Sequence, residues 1–123
     1  MISCGSTTKT INPTREEQGV MEFIFDAQEQ TMRCRFPVRM DAVNSMEAEK
    51  ILDKGIKEIT AQPEDIAVIF DLKGVEYISS AFLRLCLSIA KGVKKGGFSI
   101  INTEPQVMKV FKIAGLDGIL QVS

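Results

Sequence analysis

Two spacings of apolar residues divide the chain. Residues 21–28 set Phe23, Phe25 and Ala27 on alternate positions, and residues 31–40 do the same with Met32, Cys34, Phe36, Val38 and Met40 against Arg33, Arg35 and Arg39. A period of two belongs to a strand with one buried face, so these runs predict an antiparallel hairpin. The arginine stripe reads as its solvated face rather than a binding patch. Pro37 lacks an N–H and belongs near a strand end or a sheet edge. Farther on, Ala67-Val68-Ile69-Phe70 is unbroken apolar sequence, which predicts a strand covered on both faces. Phe98-Ser99-Ile100-Ile101 predicts another strand, and Ile119-Leu120-Gln121-Val122 a short closing one.

Between these runs the period becomes helical. Ala48, Ile51, Leu52, Ile56 and Ile59 make one stripe, opened by Asn44 and Glu47 at capping-box spacing and ended by a loop at 61–65. Phe82, Leu85, Cys86, Ile89 and Val93 make a second, stopped by Gly96-Gly97. Lys91, Lys94 and Lys95 before that stop suit the negative end of the helix dipole better than they suit phosphate binding. A third helix is predicted over 103–115. Thr103 and Gln106 have capping-box spacing there, Pro105 lies in the first turn, and Val107, Val110, Phe111 and Ala114 point inward. Gly115 followed by Leu116 fits a C-terminal cap.

Strand-helix-strand units of this length imply parallel pairing with right-handed crossovers. The expected fold is a single α/β domain over residues 21–123. It combines a mixed β-sheet, an N-terminal antiparallel hairpin, parallel βαβ units and three to four helices. Residues 1–20 are polar and aperiodic, and are expected to form a flexible N-terminal leader with one added strand at most.

Composition narrows the function. A chain of 123 residues with 45% hydrophobic and 25% charged content supports one core without disulfides or metal. Its net charge of −1 gives no nucleic-acid footprint. No run approaches the roughly 18 apolar residues of a membrane span. The N-terminus lacks the basic-then-apolar pattern of a secretory signal, so the expected location is cytoplasmic. Cys4, Cys34 and Cys86 are odd in number and lack C-x-x-C spacing; Cys34 and Cys86 fall on apolar phases and read as core residues. There is no histidine, which removes a Ser-His-Asp triad, a Cys-His pair and imidazole metal ligation. No glycine pattern for cradling a nucleotide occurs. These absences point to a binding protein rather than an enzyme, with no cofactor and no metal.

The most informative chemistry lies where the central strand passes through a short loop into the second helix, at Ser79 and Ser80. The first N–H groups of a helix have no intrahelical acceptor and its dipole is positive there, so an anion or a hydroxyl oxygen is welcome. A phosphate at this point would carry about −1.5 to −2 charges. One serine could equally serve as a plain N-cap, stabilising by about 1 kcal/mol over alanine.

Over residues 22–122 the chain resembles STAS domains of the anti-sigma factor antagonist type. That family carries, after a strand ending in Asp-Leu, a loop of the form Val-x-[Phe/Tyr]-hydrophobic-Asp-Ser-[Ser/Ala]-Gly-Leu-Gly. Asp71-Leu72, Val75, Tyr77, Ala81 and Leu83 match it, and Ser80 falls on the phosphorylated serine. Ser79 replaces the motif's acidic residue, and Phe82 and Arg84 replace its glycines. Val38-Arg39-Met40-Asp41 resembles the family's Gly-x-Leu-Asp element, with Val38 in place of the glycine. Asp41 is thereby implied to lie near the phosphorylation loop, although an aspartate there also suits the start of a turn.

The resemblance implies a protein that binds a serine-kinase anti-sigma factor and is regulated by phosphorylation at Ser80, with Ser79 as second choice. It implies a docking surface of Asp41, Ser79, Ser80, Ala81, Phe82, Leu83 and Arg84. Two alternatives stay open. One is a STAS scaffold or adaptor that does not switch. The other is a small-molecule or nucleotide-binding domain, or a minor enzyme using Asp41 and a serine, which predicts a deep pocket at the strand ends.

Overall fold

The computed structural model describes residues 8–11, 21–59 and 65–123. The N-terminal hairpin forms as its period of two requires. Strand β2 (Glu22–Asp26) pairs antiparallel with β3 (Thr31–Arg35), Phe23 opposite Cys34 and Phe25 opposite Met32. A further strand, β1 (Thr8–Ile11), adds antiparallel to β2. It is the added strand allowed for in the leader, whose remaining positions, like Cys4 and the loop at 61–64, lie outside the described residues.

The second run does not continue to Met40 as one strand. It breaks after Arg35 at Phe36 and Pro37, then resumes as β4 (Arg39–Met40) in a separate two-stranded sheet. Pro37 stands at the strand end its missing N–H demands. The break turns the chain out of the main sheet and into α1 (Ala42–Ile59), which leads to β5 (Ala67–Asp71). The chain then passes through β6 (Tyr77–Ile78) to α2 (Ser80–Gly92), β7 (Phe98–Ile101) and α3 (Pro105–Ile113). The main sheet runs β1-β2-β3-β5-β7, antiparallel in the first two pairings and parallel in the last two, while β4 pairs parallel with β6.

Register explains the core. Phe23, Cys34, Phe70 and Ile100 form one row across the sheet, and Phe25, Met32, Val68 and Phe98 the next. Every one of these side chains is buried. They join Ala48, Leu52 and Ile56 of α1, Leu85, Cys86 and Ile89 of α2, and Val107 and Phe111 of α3 in one cluster. Burial pushes the thiols of Cys34 and Cys86 well above their usual range, so both stay protonated core groups.

The opposite face corrects the expectation for β5. Ile69 is only half-buried and, with Ile24, Arg33 and Thr31, lines an open depression of about 400 Å³ on that side of the sheet. Among the described residues this face of the strand is less covered than the other, with Asp71 buried only at its end; the unbroken apolar run reflects a central position, not full burial on both sides.

Three helix boundaries differ from those the capping patterns predict. Helix α1 begins before Asn44, because Asp41 Oδ1 accepts the Asn44 N–H at 2.9 Å and so caps the first turn. Helix α2 ends at Gly92 rather than at Gly96-Gly97, with extended backbone at Val93. Lys94 then donates its N–H to the Ile66 carbonyl, which turns the chain toward β7. Helix α3 has Glu104, not Thr103, at its N-cap position, without a side-chain capping bond, and Val110 and Ala114 face solvent instead of the core. Its C-terminus is as expected: Gly115 at φ 74° lets Leu116 N–H reach the Phe111 carbonyl. The closing strand reduces to one parallel bridge between Val122 and Ile100, because residues 117–121 coil into a turn.

Candidate functional site

The site is built where β4 and β6 bring two helix starts together. Pairing Arg39 with Tyr77 and Met40 with Ile78 lays the two short strands side by side. Each leads directly into a helix, α1 after Met40 and α2 after Ile78. The Met40 carbonyl is the junction. It accepts Ser79 N–H at 3.0 Å, Ser79 Oγ at 2.9 Å and Ser45 Oγ at 3.3 Å.

Upstream, the loop from β5 to β6 is held at both ends. Gly74, at φ 85°, is the third residue of a turn closed by Val75 N–H on the Leu72 carbonyl. That conformation suits a residue without Cβ. Gly74 N–H also points to Glu104 Oε2 at the start of α3, 3.4 Å away. Asp71 anchors the strand end by accepting Lys73 N–H at 3.1 Å and Asn102 Nδ2 at 3.0 Å. Burial alone would raise its pKa. Those hydrogen bonds, with the positive field of Arg35 and Arg33, outweigh burial and hold the carboxyl below the usual range.

The two serines separate in role. Ser79 is the N-cap of α2: half-buried, its hydroxyl donates to the Met40 carbonyl and accepts from Phe82 N–H at 3.3 Å. Ser80 is the first helical residue and is exposed. Its hydroxyl makes no hydrogen bond within the described residues. Asp41 is likewise committed, as the cap of α1, so the structure sets it beside the junction but gives its carboxylate a structural partner. Ala81 and Leu83 are half-buried and Arg84 is exposed.

Phe82, expected among the docking residues, cannot touch a partner. It has no exposed surface, and its ring lies 5.4 Å from Phe36 and 6.0 Å from Phe70. A large side chain replaces the motif's glycine by turning inward and filling the aromatic core, leaving the helix start open to solvent.

Reading the sequence missed the apolar rim. Val38, just before β4, and Tyr77 of β6 are exposed, as are Val43 and Met46 on the first turns of α1, the last two at 72% and 56%. Arg39 lies over the Tyr77 ring, its guanidinium carbon 4.6 Å from the ring centre. The missed signal was the absence of a stripe: Val43 and Met46 lie off the helical phase set by Ala48, Leu52 and Ile56.

A second depression, of about 370 Å³, runs between α1 and α2 along Met46, Glu49, Lys50, Ser88 and Ile89. Neither it nor the one on the open sheet face is lined by Asp41, Ser79 or Ser80. Among the described residues no cluster of carboxylates and thiols has the form of a metal site, and no helix is long and apolar enough to cross a membrane.

Comparison with known proteins agrees with this architecture. The STAS domain family model matches residues 22–123. A Bordetella bronchiseptica protein named BtrV, provisionally described as an anti-sigma factor antagonist, is 35% identical over 85 residues, spanning 66% of this chain and 70% of that protein. The structure of an anti-sigma-factor antagonist (STAS) domain protein from Planctomyces limnophilus superposes with a TM-score of 0.54 at 25% identity, covering 77% of this chain and 82% of that one. The murine anion transporter Slc26a9 shares the fold alone, at 14% identity and a TM-score of 0.51, over 93% of this chain and 19% of that one. A mixed sheet joined to a two-stranded ladder, a serine-led α2 and a family match over most of the length together make this chain a member of the STAS domain family.

Proposed function

We propose that this protein is an anti-sigma factor antagonist, docking through the α1/α2 start onto an anti-sigma factor that is also a serine kinase, and that phosphorylation of Ser80 ends the complex. One observation carries the reading: of two adjacent serines at the head of α2, Ser79 is consumed as a cap while Ser80 is exposed with its hydroxyl free among the described residues. A kinase can reach that oxygen without unfolding the helix. The apolar rim of Val38, Tyr77, Val43 and Met46 supplies the dry contact that a docking face needs.

In the transfer step the Ser80 oxygen forms a bond to the γ-phosphorus of ATP as the bond to the bridging oxygen breaks. The hydroxyl proton passes to a base of the kinase and ADP leaves. The product carries about two negative charges in the middle of the docking face, where desolvation and like-charge repulsion oppose binding.

The test is to incubate the protein with ATP and its kinase, map phosphate by mass spectrometry, and measure complex formation. Phosphate on Ser80 is expected, with binding retained by Ser80→Ala and lost by Ser80→Asp. Phosphate only elsewhere, or none, overturns the switch.

A second reading, a STAS scaffold that does not switch, is favoured by one feature. The position of the motif's acidic residue holds Ser79, whose oxygen is already engaged in the fold and contributes no charge beside Ser80. On that reading Ser80→Asp leaves binding unchanged.

A further inference from the structure

Resting on the reading that Ser80 is phosphorylated, we infer that Arg84 is the intrachain partner of that phosphate. The two residues are four apart on α2, so about one helical turn separates them on the same face. Both are exposed. Helix α2 contains no acidic residue, and Arg84 makes no ion pair with any described residue, so its guanidinium has no competing intrahelical carboxylate. The other arginine near the site, Arg39, is stacked on Tyr77.

The order along the helix is the favourable one. An anion placed N-terminal to a cation at this spacing stabilises a helix more than the reverse, and Ser80 stands at the positive end of the α2 dipole, where an added anion is favoured. A guanidinium matches two phosphate oxygens with two parallel N–H donors, which lysine cannot do. Before phosphorylation Arg84 extends into solvent and lends positive charge to the docking face. Afterwards it folds back one turn onto the phosphate. The modification thus withdraws a cation from the partner at the same time as it adds an anion.

The pairing is tested on the full chain with phosphoserine genetically encoded at position 80, so that no kinase is needed. Phosphorylation is expected to raise the melting temperature by about 1 to 2 °C more in the wild-type background than in Arg84→Gln at low salt. That excess should vanish near 0.5 M salt, and Arg84→Lys should recover only part of it. In the wild type alone, the Arg84 Nε–H resonance should shift and exchange more slowly with solvent once position 80 is phosphorylated. Equal temperature gains in wild type and Arg84→Gln, or an unmoved Arg84 resonance, overturn the inference. The underlying switch fails separately, if the encoded phosphoserine leaves partner binding intact.

Discussion

At the scale of single residues, the division of labour between Ser79 and Ser80 depends on which oxygen the fold has already used. Sequence spacing located both at the helix start, but it left open which one caps and which is accessible. That was decided by the Met40 carbonyl, thirty-nine residues earlier in the chain and invisible to local pattern. Asp41 shows the same limit: its nearness to the loop was legible, whereas its use as the α1 cap was masked by the neighbouring Asn44 and Glu47 pattern. Asp71 carries a pH dependence. Its folded pKa is depressed, so its contribution to stability is fully present above the unfolded value of about 3.9 and is lost as pH falls through the lower folded value. Urea midpoints measured between pH 6 and 2 should therefore converge for wild type and Asp71→Asn toward the acid end, with the wild type more stable at pH 6.

At the scale of elements, α2 illustrates how a helix can change a motif and keep its exposed face. Its apolar stripe was readable from Phe82, Leu85, Cys86 and Ile89, all of which are buried. The motif sets Phe82 at a glycine position of the docking loop, but the helical phase turns it into the core. Restoring the motif by Phe82→Gly should empty a space bordered by Phe36 and Phe70 and put glycine inside a helix. The expected loss is about 4 to 6 kcal/mol by denaturant unfolding, combining the usual cost of deleting a buried aromatic ring with the helix penalty of glycine. The short β4 and β6 were not legible, since two residues leave no period to detect. They exist because Phe36 and Pro37 break the long alternating run.

At the scale of the whole molecule, the main sheet has one inner face packed against the helices and one face that is more open among the described residues. The alternating hairpin gave this away for β2 and β3, but the apolar run of β5 concealed it. Ile69 lies in the row of Ile24, Arg33 and Ser99, away from the helices, while Val68 lies in the buried row of Phe25, Met32 and Phe98. Val68→Thr should accordingly cost about 1 to 3 kcal/mol for burying a hydroxyl, and Ile69→Thr distinctly less, as read from shifts in the denaturant midpoint. A result in the opposite order would mean that the open face is covered in solution.

The shared acceptor at Met40 couples motions as well as positions. Because one oxygen tethers the residue before α2 and a serine inside the first turns of α1, neither helix start can fray without loosening the other. The two starts should breathe as one unit, with the amide protons of Ser79 and Ser45 sharing a single opening rate in deuterium exchange. A chemical event at the head of one helix is then felt kinetically at the head of its neighbour.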